Sequence, residues 1–112
     1  MPRQKMYFKW EIPTSVVNVT VAILADYSRR ERAIKYSSIT GAVLDRYIEL
    51  NNAVDLVLED TEPAVRKEML ADMANDRGYN RSQAQCFMSR NTYYQRRRKI
   101  IHDLAKELFL LP

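Results

Sequence analysis

Side chains capable of covalent or metal chemistry are few in this chain, and their spacing suits neither. It has one histidine and one cysteine in 112 residues. Neither a Gly-rich phosphate loop nor a paired metal-ligand motif occurs in it. His102 precedes Asp103, but successive residues on a helix do not face each other, so no proton relay is expected. Glu59, Asp60 and Glu62 gather three carboxylates at what reads as a helix junction, where acids complement the helix dipole. Cys86 beside Phe87 reads as a small buried hydrophobe, since a lone thiol supports neither a disulfide framework nor a metal site. The sequence predicts no enzyme, no metal and no cofactor.

Recognition chemistry is concentrated elsewhere. Residues 77–112 carry eight bases against Asp103 and Glu107, whereas residues 40–76 carry nine acids against three bases. An acidic middle and a basic end suggest a polyanion at the C-terminal part, most often nucleic acid. Within that end, Arg90, Asn91, Gln95 and Arg98 are of the types that make bidentate contacts to guanine or adenine edges. With Tyr94, they form the candidate base-reading set. Arg81, Arg96, Arg97 and Lys99 are the candidates for phosphate contacts, which position a duplex without reading it.

These side chains need elements to hold them. A composition of 46% hydrophobic and 29% charged residues, with 2 Gly and 4 Pro, excludes wholesale disorder and a many-turned all-β fold. The reading is an all-α single domain over 1–112 with four or five helices. Met6, Phe8, Trp10 and Ile12 alternate with polar residues up to Pro13, so residues 1–13 read as an extended arm. A buried helix is expected over Thr14–Tyr27, capped by Thr14 or Ser15. Ser28–Tyr36 reads as a short basic helix or an extension of the first.

The longest helix is expected over Ile39–Leu58, capped by Ser37 or Ser38. Val43, Tyr47, Leu50, Val54 and Val57 form its core stripe, widened by Leu44, Ile48 and Leu58. Asp60 or Thr61 should cap the next helix, with Pro63 in its first turn. Val65, Met69, Leu70 and Met73 line its inner face, and it should stop at Arg77 with Gly78 in the left-handed conformation. These elements form a helical core over 14–77.

Residues 78–112 read as a helix-turn-helix. Arg81–Phe87 is a short helix candidate with Ser82 available as its cap, and Met88–Ser89 makes a turn. Ser89 then caps a basic helix over about Arg90–Leu108. Tyr93, Ile100, Ile101, Leu104 and Leu108 mark its buried side, with Asn91, Gln95, Arg98 and His102 opposite. A recognition helix of this kind enters the major groove N-terminus first.

The final helix, Ser89-Arg90-Asn91-Thr92-Tyr93-Tyr94-Gln95-Arg96-Arg97-Arg98-Lys99-Ile100-Ile101-His102-Asp103-Leu104-Ala105-Lys106-Glu107-Leu108, resembles that of the RinA/ArpU-type phage transcriptional regulators. Their signature is a Ser-x-x-Thr-Tyr-Tyr core, a basic stretch and an Ile-x-x-x-Ala-x-x-Leu end. The resemblance extends through Tyr36-Ser37-Ser38-Ile39-Thr40 and the helix around Asp45–Leu58. It implies a sigma factor region-four-like helix-turn-helix and a phage or prophage protein that regulates late genes on double-stranded DNA. RNA polymerase is the further partner it brings in. In the family the positioning helix reads Ile-Ala-x-x-Leu-x-Ile-Ser. Here the run from Ala84 to Ser89 is one residue shorter, which should rotate or shorten that helix.

A packaging or assembly protein, such as a small terminase-like DNA-binding subunit or an adaptor, is the competing reading, being also short, helical and basic at one end. A homodimer is expected, through the arm or the long helix, because palindromic sites are read by two-fold pairs. The longest uncharged run, Ile12–Ala25, is too short to span a bilayer and contains Pro13 and Asn18. The expected location is the bacterial cytoplasm, with no membrane partner.

Overall fold

The computed structural model describes residues 11–112, and within them the chain is all-helical. Five α-helices follow in order: α1 (Thr14–Ala25), α2 (Tyr27–Tyr36), α3 (Gly41–Val57), α4 (Pro63–Ala74) and α5 (Arg90–Glu107). Two short 3₁₀ turns, Tyr79–Arg81 and Gln83–Cys86, link α4 to α5. Of the arm expected over residues 1–13, only Glu11, Ile12 and Pro13 fall within the described residues, and Ile12 is buried.

The core lies where α1 packs against α4 and α5 and where α3 crosses α5. Leu24 of α1, Val54 and Leu58 of the α3 end, Met69 of α4, and Tyr93 and Leu104 of α5 are all essentially inaccessible. Val65, Met69 and Met73 line the buried side of α4, with Leu70 half-buried beside them, as their spacing predicts. Thr20 is buried without a cost in polarity, because its Oγ1 donates to the Val16 carbonyl at 2.7 Å.

The stretch expected as a short basic helix or an extension of the first is a separate helix, because the chain turns at Asp26. Two arginines fix that turn. Arg29 places Nε and Nη2 on the two Asp26 carboxylate oxygens, each at 2.6 Å. These bonds hold the Asp26 carboxyl below its ordinary range. Arg30 instead points inward and is buried. Its Nε donates to Asn51 Oδ1 and its Nη2 to the Ile23 carbonyl, both at 2.7 Å. A buried guanidinium is tolerated only when its donors are satisfied, and here they join α1, α2 and α3. Tyr27 Oη adds a bond to Asp55 Oδ1 at 2.6 Å across the α2–α3 contact.

That polar joint corrects the expected core stripe of α3. Asn51, Val54 and the following Leu58 are buried, whereas Val43 and Ile48 are exposed. The Arg30 guanidinium holds the Asn51 amide inside; of the predicted stripe Val54 and Leu58 stay buried, Leu44, Tyr47, Leu50 and Val57 are half-buried, and Val43 and Ile48 face outward. The expected caps also move. α1 follows Pro13, α3 follows Thr40 and α4 follows Glu62, none with a side-chain capping bond. α3 opens on Gly41 at φ +65, a conformation that favours glycine.

The end of α4 differs from its expected form. Asp76, not Gly78, takes the left-handed conformation (φ 52), and the Arg77 N–H closes on the Asp72 carbonyl at 2.7 Å. This is a Schellman-type ending, with the Asp76 N–H on the Met73 carbonyl at 3.3 Å. α5 ends the same way: Phe109 has φ 61 and the Leu110 N–H reaches the Ala105 carbonyl at 2.8 Å. Phe109 stands 91% exposed beside a cleft of about 670 Å³ that includes Ile48, Leu56 and Leu108.

Candidate nucleic-acid interface

The helix that carries the predicted contact residues is started by its own sequence. Ser89 is extended, and its Oγ accepts the Thr92 N–H at 3.2 Å, satisfying one of the free donors of the first turn. Tyr93, Ile100, Ile101, Leu104 and Ala105 bury one side of α5, and Leu108 just beyond it is half-buried. Asn91 and Gln95 are exposed on the opposite side, with Arg98 and His102 partly accessible along the same face.

The element expected to position this helix is absent in its expected form. Arg81–Phe87 makes no α-helix; its place is taken by the two 3₁₀ turns, the second opened by Ser82, whose Oγ accepts the Ala84 N–H at 3.0 Å. A segment this short holds its shape through side chains. Glu68 Oε2 accepts the Ser82 hydroxyl at 3.0 Å and the Gln83 N–H at 2.8 Å. Gln85 Nε2 bridges the Tyr79 and Asn80 carbonyls at 3.0 and 2.6 Å. Tyr79 Oη donates to the Met88 carbonyl at 2.6 Å. Cys86, expected inside, is exposed, because a one-turn 3₁₀ segment buries only Ala84.

Three tyrosines pin the first turns of α5 to this segment. The Tyr93 ring meets Tyr79 and Tyr94 edge to face, with centroids 5.4 and 5.1 Å away. Tyr94 Oη accepts the Tyr79 N–H at 3.1 Å. Gly78 is explained by this contact rather than by its backbone angles, since a Cβ there would lie 2.8 Å from Tyr94 Oη. Neither Tyr79 nor the acids of α4 were legible as site residues. Gly78 next to Tyr79 was the available signal, and it reads as a helix stop.

Beneath the tyrosines lies a buried ionic network. Tyr93 Oη donates to Asp72 Oδ2 at 2.7 Å, and Arg77 Nε donates to Asp72 Oδ1 at 3.1 Å. Burial opposes the Asp72 charge, yet its polar surroundings, the nearby Ser82 hydroxyl together with the bonds from Tyr93 and Arg77 among them, outweigh it and hold the carboxyl below its usual range. The same burial, reinforced by Asp72, pushes the Tyr93 hydroxyl up to about 12. Arg97 closes the network: its Nη1 donates to the Arg77 carbonyl at 2.7 Å and to Tyr93 Oη at 2.9 Å.

The sequence-predicted contacts therefore divide. Asn91, Gln95 and Arg98 share the outer face, and Arg96 is exposed on its flank beside Val65 and Met88. Arg81 is exposed in the first 3₁₀ turn. Arg97, expected on phosphate, has its guanidinium turned into the protein instead. Lys99 Nζ lies 2.6 Å from Asp103 Oδ2. Tyr94 is half-exposed, but its hydroxyl is engaged with the backbone and its ring lies 5.5 Å beneath the Arg90 guanidinium. His102 does meet Asp103, Nδ1 to Oδ1 at 3.2 Å, contrary to expectation, so this carboxylate bridges two side chains of α5. Burial opposes the Asp103 charge, but the bonds from Lys99 and His102 hold its carboxyl below the ordinary range.

Among the described residues no cluster of three potential metal ligands occurs, and no helix is long and apolar enough to cross a membrane. A comparison of the chain with known protein families, curated proteins and solved structures finds no match.

Proposed function

We propose that the protein binds double-stranded DNA through the outer face of α5 and works as a transcriptional regulator. One observation carries this reading. A capped helix, locked on its inner side by the Tyr93 network, holds Asn91 and Gln95 exposed and Arg98 partly accessible on its free side. Side chains of these types suit base edges, and rigid support from the core is what a readout surface needs. Arg81 and Arg96, exposed to either side, supply the sequence-independent attraction to phosphate. The likeness of this helix to those of the RinA/ArpU-type phage regulators supports late phage promoters as the DNA it acts on. A two-fold pair of chains is the unit such a reader requires for a palindromic site, and sedimentation of the free protein and of its complex measures that unit.

Fluorescence anisotropy on duplexes selected from a random pool tests the reading. Asn91→Ala and Gln95→Ala should each weaken the selected site by roughly 1–3 kcal/mol while leaving binding to scrambled duplex nearly unchanged. Equal losses on both duplexes would reduce the face to an electrostatic patch. The absence of any duplex binding would end the proposal.

A further inference from the structure

Arg90 is held before any ligand arrives, by two contacts that leave it exposed. Its Nη1 donates to Asn80 Oδ1 at 2.9 Å, a bond that crosses from the helix to the first 3₁₀ turn. Its guanidinium carbon lies 5.5 Å from the centre of the Tyr94 ring. Tyr94 is itself fixed, through the Tyr79 N–H on its hydroxyl and the fully buried Tyr93 at its edge. The approach that makes this possible needs Gly78, because any Cβ there would strike Tyr94 Oη. Arg90 and Asn80 are both exposed all the same, so the held group remains reachable.

The consequence follows from the shape of a guanidinium. It carries five N–H donors in one plane, and two adjacent ones form a fork that matches two acceptors side by side. Asn80 takes the Nη1 end, which leaves the Nε–Nη2 edge without a protein partner among the described residues. In the major groove guanine presents two neighbouring acceptors, N7 and O6. Adenine presents an acceptor beside an N6 donor, which a fork of donors cannot satisfy. A phosphate would also accept the fork, but phosphate binding tolerates a mobile arginine, and fixed geometry is what discrimination between base edges demands.

We propose that Arg90 reads a guanine through its Nε–Nη2 edge and that Asn80 and Tyr94 are its positioning residues, a role that rests on α5 being the DNA-binding helix. Asn80 sets the rotation of the guanidinium in its own plane, and Tyr94 sets the level of that plane. Neither touches the base.

Selection from a random duplex pool with the full chain, followed by affinity measurements on the selected site and on its guanine-to-adenine variants, tests this. The unaltered protein should select a site with an invariant guanine and prefer it to adenine by roughly tenfold or more. Arg90→Ala should abolish that preference. Asn80→Ala should lower it severalfold while binding to random duplex and the thermal midpoint stay close to those of the parent. Asn80→Asp, which keeps an acceptor for Nη1, should restore the preference, whereas a merely structural role for Asn80 would move stability and all affinities together. Tyr94→Leu should lower the preference as Asn80→Ala does; because Tyr94 also packs on Tyr93, the Asn80 pair keeps the test decisive if this variant unfolds.

A guanine preference undiminished in the Arg90→Ala or the Asn80→Ala protein would overturn the inference and leave the DNA-binding reading intact. Binding without any base preference would overturn the inference and reduce the face of α5 to an electrostatic patch. Failure of the unaltered protein to bind duplex would remove the reading of α5 and this inference with it.

Discussion

The most informative single residue is Arg97. In the sequence it is one of a run of bases, Arg96-Arg97-Arg98-Lys99, and nothing in that run says which of them turns inward. Helical spacing could have indicated it, since Arg97 lies one turn beyond the core residue Tyr93. A cation on the buried side, however, is readable only when its acceptors are known, and those are the Arg77 carbonyl and Tyr93 Oη. The network gives a pH dependence whose sign is fixed by Tyr93. Its hydroxyl is pushed up to about 12 in the folded protein, against about 10 in an unfolded chain. Between those values the unfolded chain sheds a proton that the folded chain keeps. The stability from this group is therefore complete below about pH 10 and is lost as pH rises toward 12. Tyr27, raised in the same direction by burial and by Asp55, adds to that slope. Denaturant unfolding at several pH values checks this. Tyr93→Phe should be less stable at neutral pH by about 1–3 kcal/mol, because Asp72 loses a buried donor. It should then lose less than the parent between pH 10 and 12, and parallel curves would assign the alkaline slope to other groups.

At the scale of elements, helical periodicity located most of the helices and misplaced part of the face of α3. α4 and α5 were legible because their buried positions are mostly apolar and helically spaced. α3 was not, since the residue that orients it is polar. Asn51 is buried to serve Arg30, and a pattern of valines and leucines gives no sign of that. The short segment before α5 failed for the opposite reason: its order comes from side chains on backbone groups, Glu68 of α4 and the segment's own Gln85 among them, which carry no periodicity. These faces make different predictions for equally apolar residues. Val54→Ala, at a site with no exposure, should cost about 1–3 kcal/mol. Val43→Ala, half exposed, should stay within about 0.5 kcal/mol of the parent. Asn51→Ala should exceed the Val43 substitution by about 1–3 kcal/mol, since it strands the Arg30 guanidinium. Chemical denaturation of the three variants orders them, and an equal loss at Val43 and Val54 would restore the stripe read from sequence.

For the molecule as a whole, the division of charge along the chain survives folding in altered form. The acids of residues 40–76 are shared between two tasks. Asp72 and Glu68 are spent inside, on Tyr93, Arg77 and the 3₁₀ turn, whereas Asp45, Glu49 and Asp55 stay on the surface of α3. The bases divide likewise. Arg77 and Arg97 serve the interior network, and Arg81, Arg90 and Arg96 remain exposed around the start of α5. Formal charge counted from sequence thus overstates what a polyanion meets. Salt dependence distinguishes the two populations, because each base that neutralises a phosphate releases condensed counterion and contributes close to one unit to the slope of log K against log salt. Arg81→Ala and Arg96→Ala should each reduce the slope on nonspecific duplex by about one, with little change in stability. Arg97→Ala removes the same formal charge, yet it should lower the unfolding midpoint and leave the slope of the remaining folded protein near that of the parent. Titrations between about 50 and 200 mM salt, with unfolding measured in parallel, resolve the difference. A slope unmoved by the Arg81 and Arg96 substitutions would take phosphate off the flanks of α5. A slope lowered by Arg97→Ala alone would mean that the guanidinium leaves Tyr93 when DNA binds.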